Sequence, residues 1–246
     1  MPQSEISNQQ SAISNPGLSA KLPKVKLNRK WEFLGLSITV GMLASIATLL
    51  FFAWLSNEVL EGETRHFDEV TRNAVHTIAS PTLTATMRGI SFTGSSFFLT
   101  GATIVMFMWL MSRGWQRDAW LLAITMIGAS ILNTTLKLTF HRPRPVPFFN
   151  LLAPESYSFP SGHSLASFCF FGALASILTT RITNPKINLL TWVSAATLVF
   201  LIGLSRIYLG VHYTTDVLAG FAAAFIWIAM IRFVEMRIVR RKNWSQ

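Results

Sequence analysis

Cysteine is almost missing from this chain. Cys169 is the only one in 246 residues, so no disulfide can close within it, and a lone thiol inside an apolar run reads as packing. Charge is scarce too: 13% of residues are Asp, Glu, Lys or Arg, against 51% hydrophobic. An ordinary soluble domain carries about 25% charged residues, so that class is excluded. Acids are rarest, 11 against 21 Lys and Arg. From Ala119 onward only Glu155 and Asp216 lie outside the short turns and the tail. Hydrolysis on two metals needs several carboxylates around ions about 4 Å apart, so the chemistry reads as free of metal and cofactor. His66 and His76 have no partner at metal-ligand spacing and read as surface residues.

What the chain has in quantity is uncharged apolar sequence, in runs long enough to cross a bilayer. Phe33 to Ser56 is the first, and it lacks the short core and cleavage site of a signal peptide. Further spans are expected over Gly89–Ser112, Ala119–Thr139, Pro160–Thr180, Ile187–Leu204 and Tyr213–Ile231. These make an all-α bundle of six transmembrane helices over residues 31–240. Ahead of it, residues 1–30 read as a disordered basic cytoplasmic tail, and Asn57–Arg88 as a polar connection with a short interfacial helix. With six spans both termini share one side. That side then carries 14 Lys or Arg against 4 acids, and the other 7 against 7. This is the positive-inside pattern, so the basic balance reports membrane topology and not a nucleic-acid partner. The small size and lack of organelle signals suggest a bacterial inner membrane.

Three polar clusters fall on the outer face. Lys137, in Leu-Lys-Leu, precedes Arg142 and Arg144, and each could simply be an interfacial cation. Pro160-Ser161-Gly162-His163 opens an apolar run: Ser161 suits a helix N-cap, the free N–H groups behind it suit an anion, and Gly162 allows close approach. Ser205-Arg206 and His212-x3-Asp216 form the third. If Val211–Phe221 begins a helix, His212 and Asp216 share a face, and the carboxylate can hold one imidazole nitrogen while freeing the other. The bland alternative is a capped helix among solvated edge charges. Two histidines, an aspartate and three cations on one face suit phosphoryl transfer better. Fixed cations neutralise the equatorial oxygens, His212 attacks phosphorus, and His163 protonates the leaving oxygen and then activates water.

Lys137-x6-Arg144-Pro145, Pro160-Ser161-Gly162-His163 and Ser205-Arg206-x5-His212-x3-Asp216 together resemble the three-part signature of the type 2 phosphatidic acid phosphatase (PAP2) superfamily. The motifs are complete, in order and correctly spaced. The resemblance implies a PAP2/haloperoxidase-like core and a metal-independent lipid phosphatase with an extracytoplasmic site. His212 would be the nucleophile, Asp216 its orienting acid and His163 the acid then base, with Lys137, Arg144, Ser161, Gly162 and Arg206 binding phosphate. His141 and Arg142 lie off the family spacing and are expected outside the site. Candidate substrates are phosphatidate, phosphatidylglycerophosphate, isoprenyl diphosphates such as undecaprenyl diphosphate, and lipid A-type phosphates. The rival readings are a membrane transporter or a non-catalytic lipid-phosphate-binding protein.

Overall fold

The computed structural model describes residues 29–151 and 155–244, with side chains described over 39–151 and 155–237. The tail expected over residues 1–30 therefore lies outside the described residues, except for its last two. The chain divides into two units, Met1–Val40 and Gly41–Gln246; the first adds only the opening turns of one helix to the described residues.

Eight helices and no strand occur among the described residues: α1 Arg29–Glu61, α2 Arg65–His76, α3 Pro81–Thr93, α4 Ser96–Ser112, α5 Gln116–Phe140, α6 Gly162–Thr179, α7 Pro185–Tyr208 and α8 Thr214–Trp244. Five carry stretches long and apolar enough to cross a membrane: Thr39–Glu61, Gln116–Phe140, Gly162–Thr179, Pro185–Tyr208 and Thr214–Arg237. Counting α3 and α4 as one broken span gives the sixth.

That pair departs from the continuous span expected over Gly89–Ser112. The helices meet at 47°, with Gly94 ending α3 and Ser95 capping α4 through its side chain, which accepts from the Phe98 N–H. The bend is set by close packing. A Cβ at Gly94 would stand 2.4 Å from Ile202 Cγ2 of α7 and 3.4 Å from His163 Cδ2. Gly94→Ala is therefore expected to cost about 1–3 kcal/mol of overpacking and to lower the thermal midpoint in detergent. An unchanged midpoint would show that the bend yields.

α6 is the central helix, packed against α4, α5, α7 and α8. Small residues let α8 approach closely: Ala219 and Ala224 are fully buried, and Ala223 and Ala224 pack with Ala129, Leu165 and Cys169. α2 is the short helix expected in the polar connection. It exposes Phe67 and Val70, buries Asp68, and packs against α7 and α8. A long connection over residues 141–161 joins the C-terminal end of α5 to the N-terminal end of α6, and a short turn over 209–213 joins α7 to α8. All three polar clusters sit at those four ends.

Candidate active site

The first cluster is shaped by the way α5 stops. His141 adopts a left-handed conformation (φ 47°) and its N–H closes on the Lys137 carbonyl, while Pro143 and Pro145 prevent any continuation. Lys137, one turn back, is buried and donates to the Tyr157 carbonyl. Arg144 is clamped on both sides: Nε donates to the Ser156 carbonyl at 2.6 Å and Nη1 to the Val211 carbonyl at 2.9 Å. The same Nη1 stands 3.0 Å from His212 Nε2. Phe148 is pinned to the core by an N–H bond to the Leu209 carbonyl, with its ring stacked on His76 at 3.9 Å. His76 is thus half-buried against an aromatic ring and is not the free surface residue expected.

Arg206 and His212 belong to one turn. α7 ends just past Arg206, and Gly210 (φ +71°) swings the chain so that both side chains face the same space. A Cβ on Gly210 would lie 2.8 Å from the Phe148 backbone nitrogen. Gly210→Ala should accordingly cost about 1–2 kcal/mol for the left-handed conformation alone, and more for the clash. The expected outcome is a lower thermal midpoint together with lower phosphatase turnover; loss of neither would remove the turn from the site.

The helix expected from Val211 begins later, at Thr214. His212 therefore meets Asp216 from the preceding turn and not along one helix face. The contact survives: His212 Nδ1 is 3.2 Å from Asp216 Oδ2, which also accepts from the Tyr213 N–H at 2.9 Å and from the Ser158 hydroxyl. Burial pushes the His212 pKa down to about 4; the Asp216 hydrogen bond and charge oppose this, and Arg144 and Arg206 add to it. At neutral pH the ring is uncharged, Nδ1–H donating to Asp216 and Nε2 accepting from Arg144.

His163 stands in the first turn of α6 and lines a cavity of about 310 Å³ with Arg88, Ser91, Ser95 and Arg206. Arg206 Nη1 donates to Ser91 Oγ at 2.5 Å, while its buried Nε has no partner. Arg206, His212, Arg144 and Lys137 all lie close enough to act on the charge of His163. Ser161 caps α6 as expected, but its fully buried hydroxyl accepts from Ser164, from N–H at 3.4 Å and Oγ–H at 3.0 Å. Its own N–H donates to the Asp216 carbonyl at 2.9 Å, locking two clusters together. Gly162 is held against Asn133: a Cβ there would lie 3.1 Å from Nδ2. All eight predicted residues thus gather at one end of the bundle.

Arg142 needs correction. It was expected outside the site, yet its guanidinium bridges two fully buried carboxylates, Asp216 at 2.6 Å and Asp68 at 2.7 Å. Burial works against its charge, but Asp216 and Asp68 more than restore it, and its pKa rises. Asp68 was missed altogether because, in sequence, it sits among the alternating charges of a polar connection. Ser158 and Thr215 carried no signal either. Among the described residues, no group of three or more His, Cys, Asp or Glu side chains could hold a metal ion.

A helical bundle with this cluster at one end of its membrane spans belongs to a family of membrane phosphatases. The family model described as the PAP2 superfamily matches residues 118–240, and the chain belongs to that superfamily. It is 30% identical over 202 residues to phosphatidylglycerophosphatase B of Bacillus subtilis, covering 81% of this chain and 98% of that protein. An undecaprenyl-diphosphatase of Sulfolobus acidocaldarius is 32% identical over 115 residues, 45% of this chain and 51% of that one. The crystal structure of a transmembrane PAP2 type phosphatidylglycerolphosphate phosphatase from Bacillus subtilis superposes with a TM-score of 0.73 at 29% identity, covering 79% of this chain and 96% of the other.

Proposed function

We propose that this PAP2-type lipid phosphatase removes the terminal phosphate of a lipid phosphate or isoprenyl diphosphate, without metal, through a phosphohistidine on His212. Phosphatidylglycerophosphate heads the candidates, since a relative matched over 98% of its own length carries that activity in its name. One observation carries the mechanism: His212 is fully buried, with Nδ1 3.2 Å from a carboxylate oxygen and Nε2 3.0 Å from the Arg144 guanidinium, an anion-binding group.

The steps follow from these positions. Phosphate oxygens displace Arg144 from Nε2 and are shared among Arg144, Arg206 and Lys137. Nε2 attacks phosphorus, the bond to the lipid oxygen breaks, and His163 delivers a proton to that oxygen. Asp216 stabilises the charge left on the ring. His163, now neutral, takes a proton from water as the water attacks the phosphohistidine, and inorganic phosphate leaves. The N–H groups at the start of α6 complete the cradle, with the buried Ser161 holding that helix start against Asp216 and not reaching phosphate as expected.

A second cavity of about 520 Å³ runs between α4 and α5, from Asn133 and Gly162 at the site down to Phe107 and Trp120. Its apolar walls suit one acyl or prenyl tail while the headgroup sits with His163. In this reading the phosphatase domain occupies residues 31–240 of a bacterial inner-membrane protein. Both termini face the cytoplasm and the site opens outside, as the Lys and Arg asymmetry supports.

The test is phosphate release by detergent-purified protein, in EDTA, from phosphatidate, phosphatidylglycerophosphate, undecaprenyl diphosphate and lipid A. Turnover unchanged by EDTA is expected for at least one of them. No release from any would leave a transporter or a lipid-phosphate-binding protein. Because burial pushes the His212 pKa down to about 4, kcat/KM corrected for ionisation of the substrate phosphate should stay level from pH 7 down to about 5 and fall only as the imidazole takes up a proton. An acid limb centred near 6.5, the ordinary histidine value, and distinct from the ionisation of the substrate phosphate titrated separately, would count against a buried His212 nucleophile.

A further inference from the structure

Behind the phosphate pocket, Asp68 and Asp216 share one guanidinium. Arg142 Nη1 donates to Asp216 Oδ1 at 2.6 Å, and Nη2 donates to Asp68 Oδ2 at 2.7 Å and to Thr64 Oγ1 at 3.2 Å. Asp68 is fully buried and also accepts from Thr215, from its N–H at 2.9 Å and its hydroxyl at 2.7 Å. Thr215 is the chain neighbour of Asp216, so Asp68 grips both the residue beside the catalytic carboxylate and the arginine bound to it. Arg142 is further fixed by the Tyr213 ring, 4.4 Å beneath its guanidinium. Asp68 has no exposed surface, and both Nη atoms of Arg142 are committed to Asp216, Thr215, Asp68 and Thr64, so neither is placed to touch a substrate.

Such an arrangement is costly unless it serves something. Two buried carboxylates with one guanidinium leave an excess negative charge, and desolvating three ionised groups costs several kcal/mol for each. Asp216 Oδ2 is already committed to His212, Tyr213 and Ser158. Holding Oδ1 stops the carboxylate from turning and so fixes which imidazole nitrogen carries the proton.

We propose that Asp68 and Arg142 form a positioning pair that sets the orientation and effective charge of Asp216, and through it the readiness of His212. The inference rests on the phosphohistidine reading above. It places a determinant of turnover on α2, a helix outside the residues 118–240 matched by the family model. His212 is faced by Asp216, Arg144 and Arg206, with His163 and Lys137 across the pocket and the Arg142–Asp68 pair behind Asp216. Changes to that pair therefore reach the imidazole mainly through Asp216.

The experiment compares full-length wild type, Asp68→Asn, Arg142→Gln and the double variant for phosphate release in detergent across pH, with thermal midpoints measured alongside. Both single variants should lose about 10- to 100-fold in kcat. KM should change less than about threefold, because the cations that hold phosphate are untouched. The acid limbs should move in opposite directions. Asp68→Asn leaves the Arg142 charge wholly with Asp216 and lowers the pH of the limb. Arg142→Gln leaves Asp216 uncompensated and raises it, each by about half a unit or more. The double variant removes one charge of each sign; it should fold, restore the limb and remain slow.

A merely structural role would not split the limbs by sign. Limbs that stay put or move together, or a kcat within twofold of wild type in folded single variants, would overturn the proposal. So would full turnover in the double variant, which also decides the case if a single variant does not fold. A wild type that releases no phosphate from any lipid would instead bring down the phosphatase reading, and the positioning role with it.

Discussion

His212→Ala is expected to reduce phosphate release by about 10⁴- to 10⁶-fold, the scale seen when a covalent nucleophile is lost. No other group can replace it. Asp216 is fully buried behind the ring, and in the proposed mechanism His163 serves the leaving oxygen. The loss should come entirely in kcat, since Lys137, Arg144 and Arg206 still hold the phosphate oxygens. Acid-quenched protein incubated with labelled substrate should carry phosphate on wild type and none on His212→Ala. His163→Ala supplies the contrast: an activated aryl phosphate leaves without a proton, so this variant should keep forming the phosphoenzyme from an aryl phosphate while failing on lipid phosphate. More than about a tenth of wild-type turnover in His212→Ala would end the phosphohistidine mechanism.

Arg206→Gln should separate activity from stability. The Arg206 guanidinium is largely buried, its Nε has no partner, and its electrostatic neighbour Arg144 repels it. A phosphate dianion would satisfy this excess of positive charge; without one, the like charges oppose folding. Removing Arg206 is expected to cost about 10³-fold in kcat, as for a donor aimed at transition-state charge. In ligand-free protein it should also raise the thermal midpoint, the usual trade at a site strained for function. Adding inorganic phosphate should raise the midpoint of wild type by mass action and that of Arg206→Gln much less. A lower midpoint in ligand-free Arg206→Gln would show that the arginine serves the fold and not the substrate.

Much of this was readable because membranes impose simple rules. Uncharged runs had to be helices, and basic turns had to gather on one side, so Lys137, His163, Arg206 and His212 were placed at a common edge before any contact was known. The broken α3–α4 span was not readable: its bend answers to Ile202 and His163, which approach Gly94 from helices about 70 and 110 residues further along. α8 starts three residues later than expected because Asp216, besides meeting His212, accepts the Tyr213 N–H and so caps the helix at its first turn.

By itself the sequence determined the class of fold and the family, and marked the residues proposed to meet phosphate, because motif spacing and hydrophobic length are local properties of a chain. Only the tertiary structure decided what stands behind them. Arg142 and Asp68 are 74 residues apart, and Asp68 is 147 from Thr215, so nothing local distinguishes them from ordinary interfacial charges. Burial does: a carboxylate with no exposed surface must find a partner, and here that partner is the arginine that also holds Asp216.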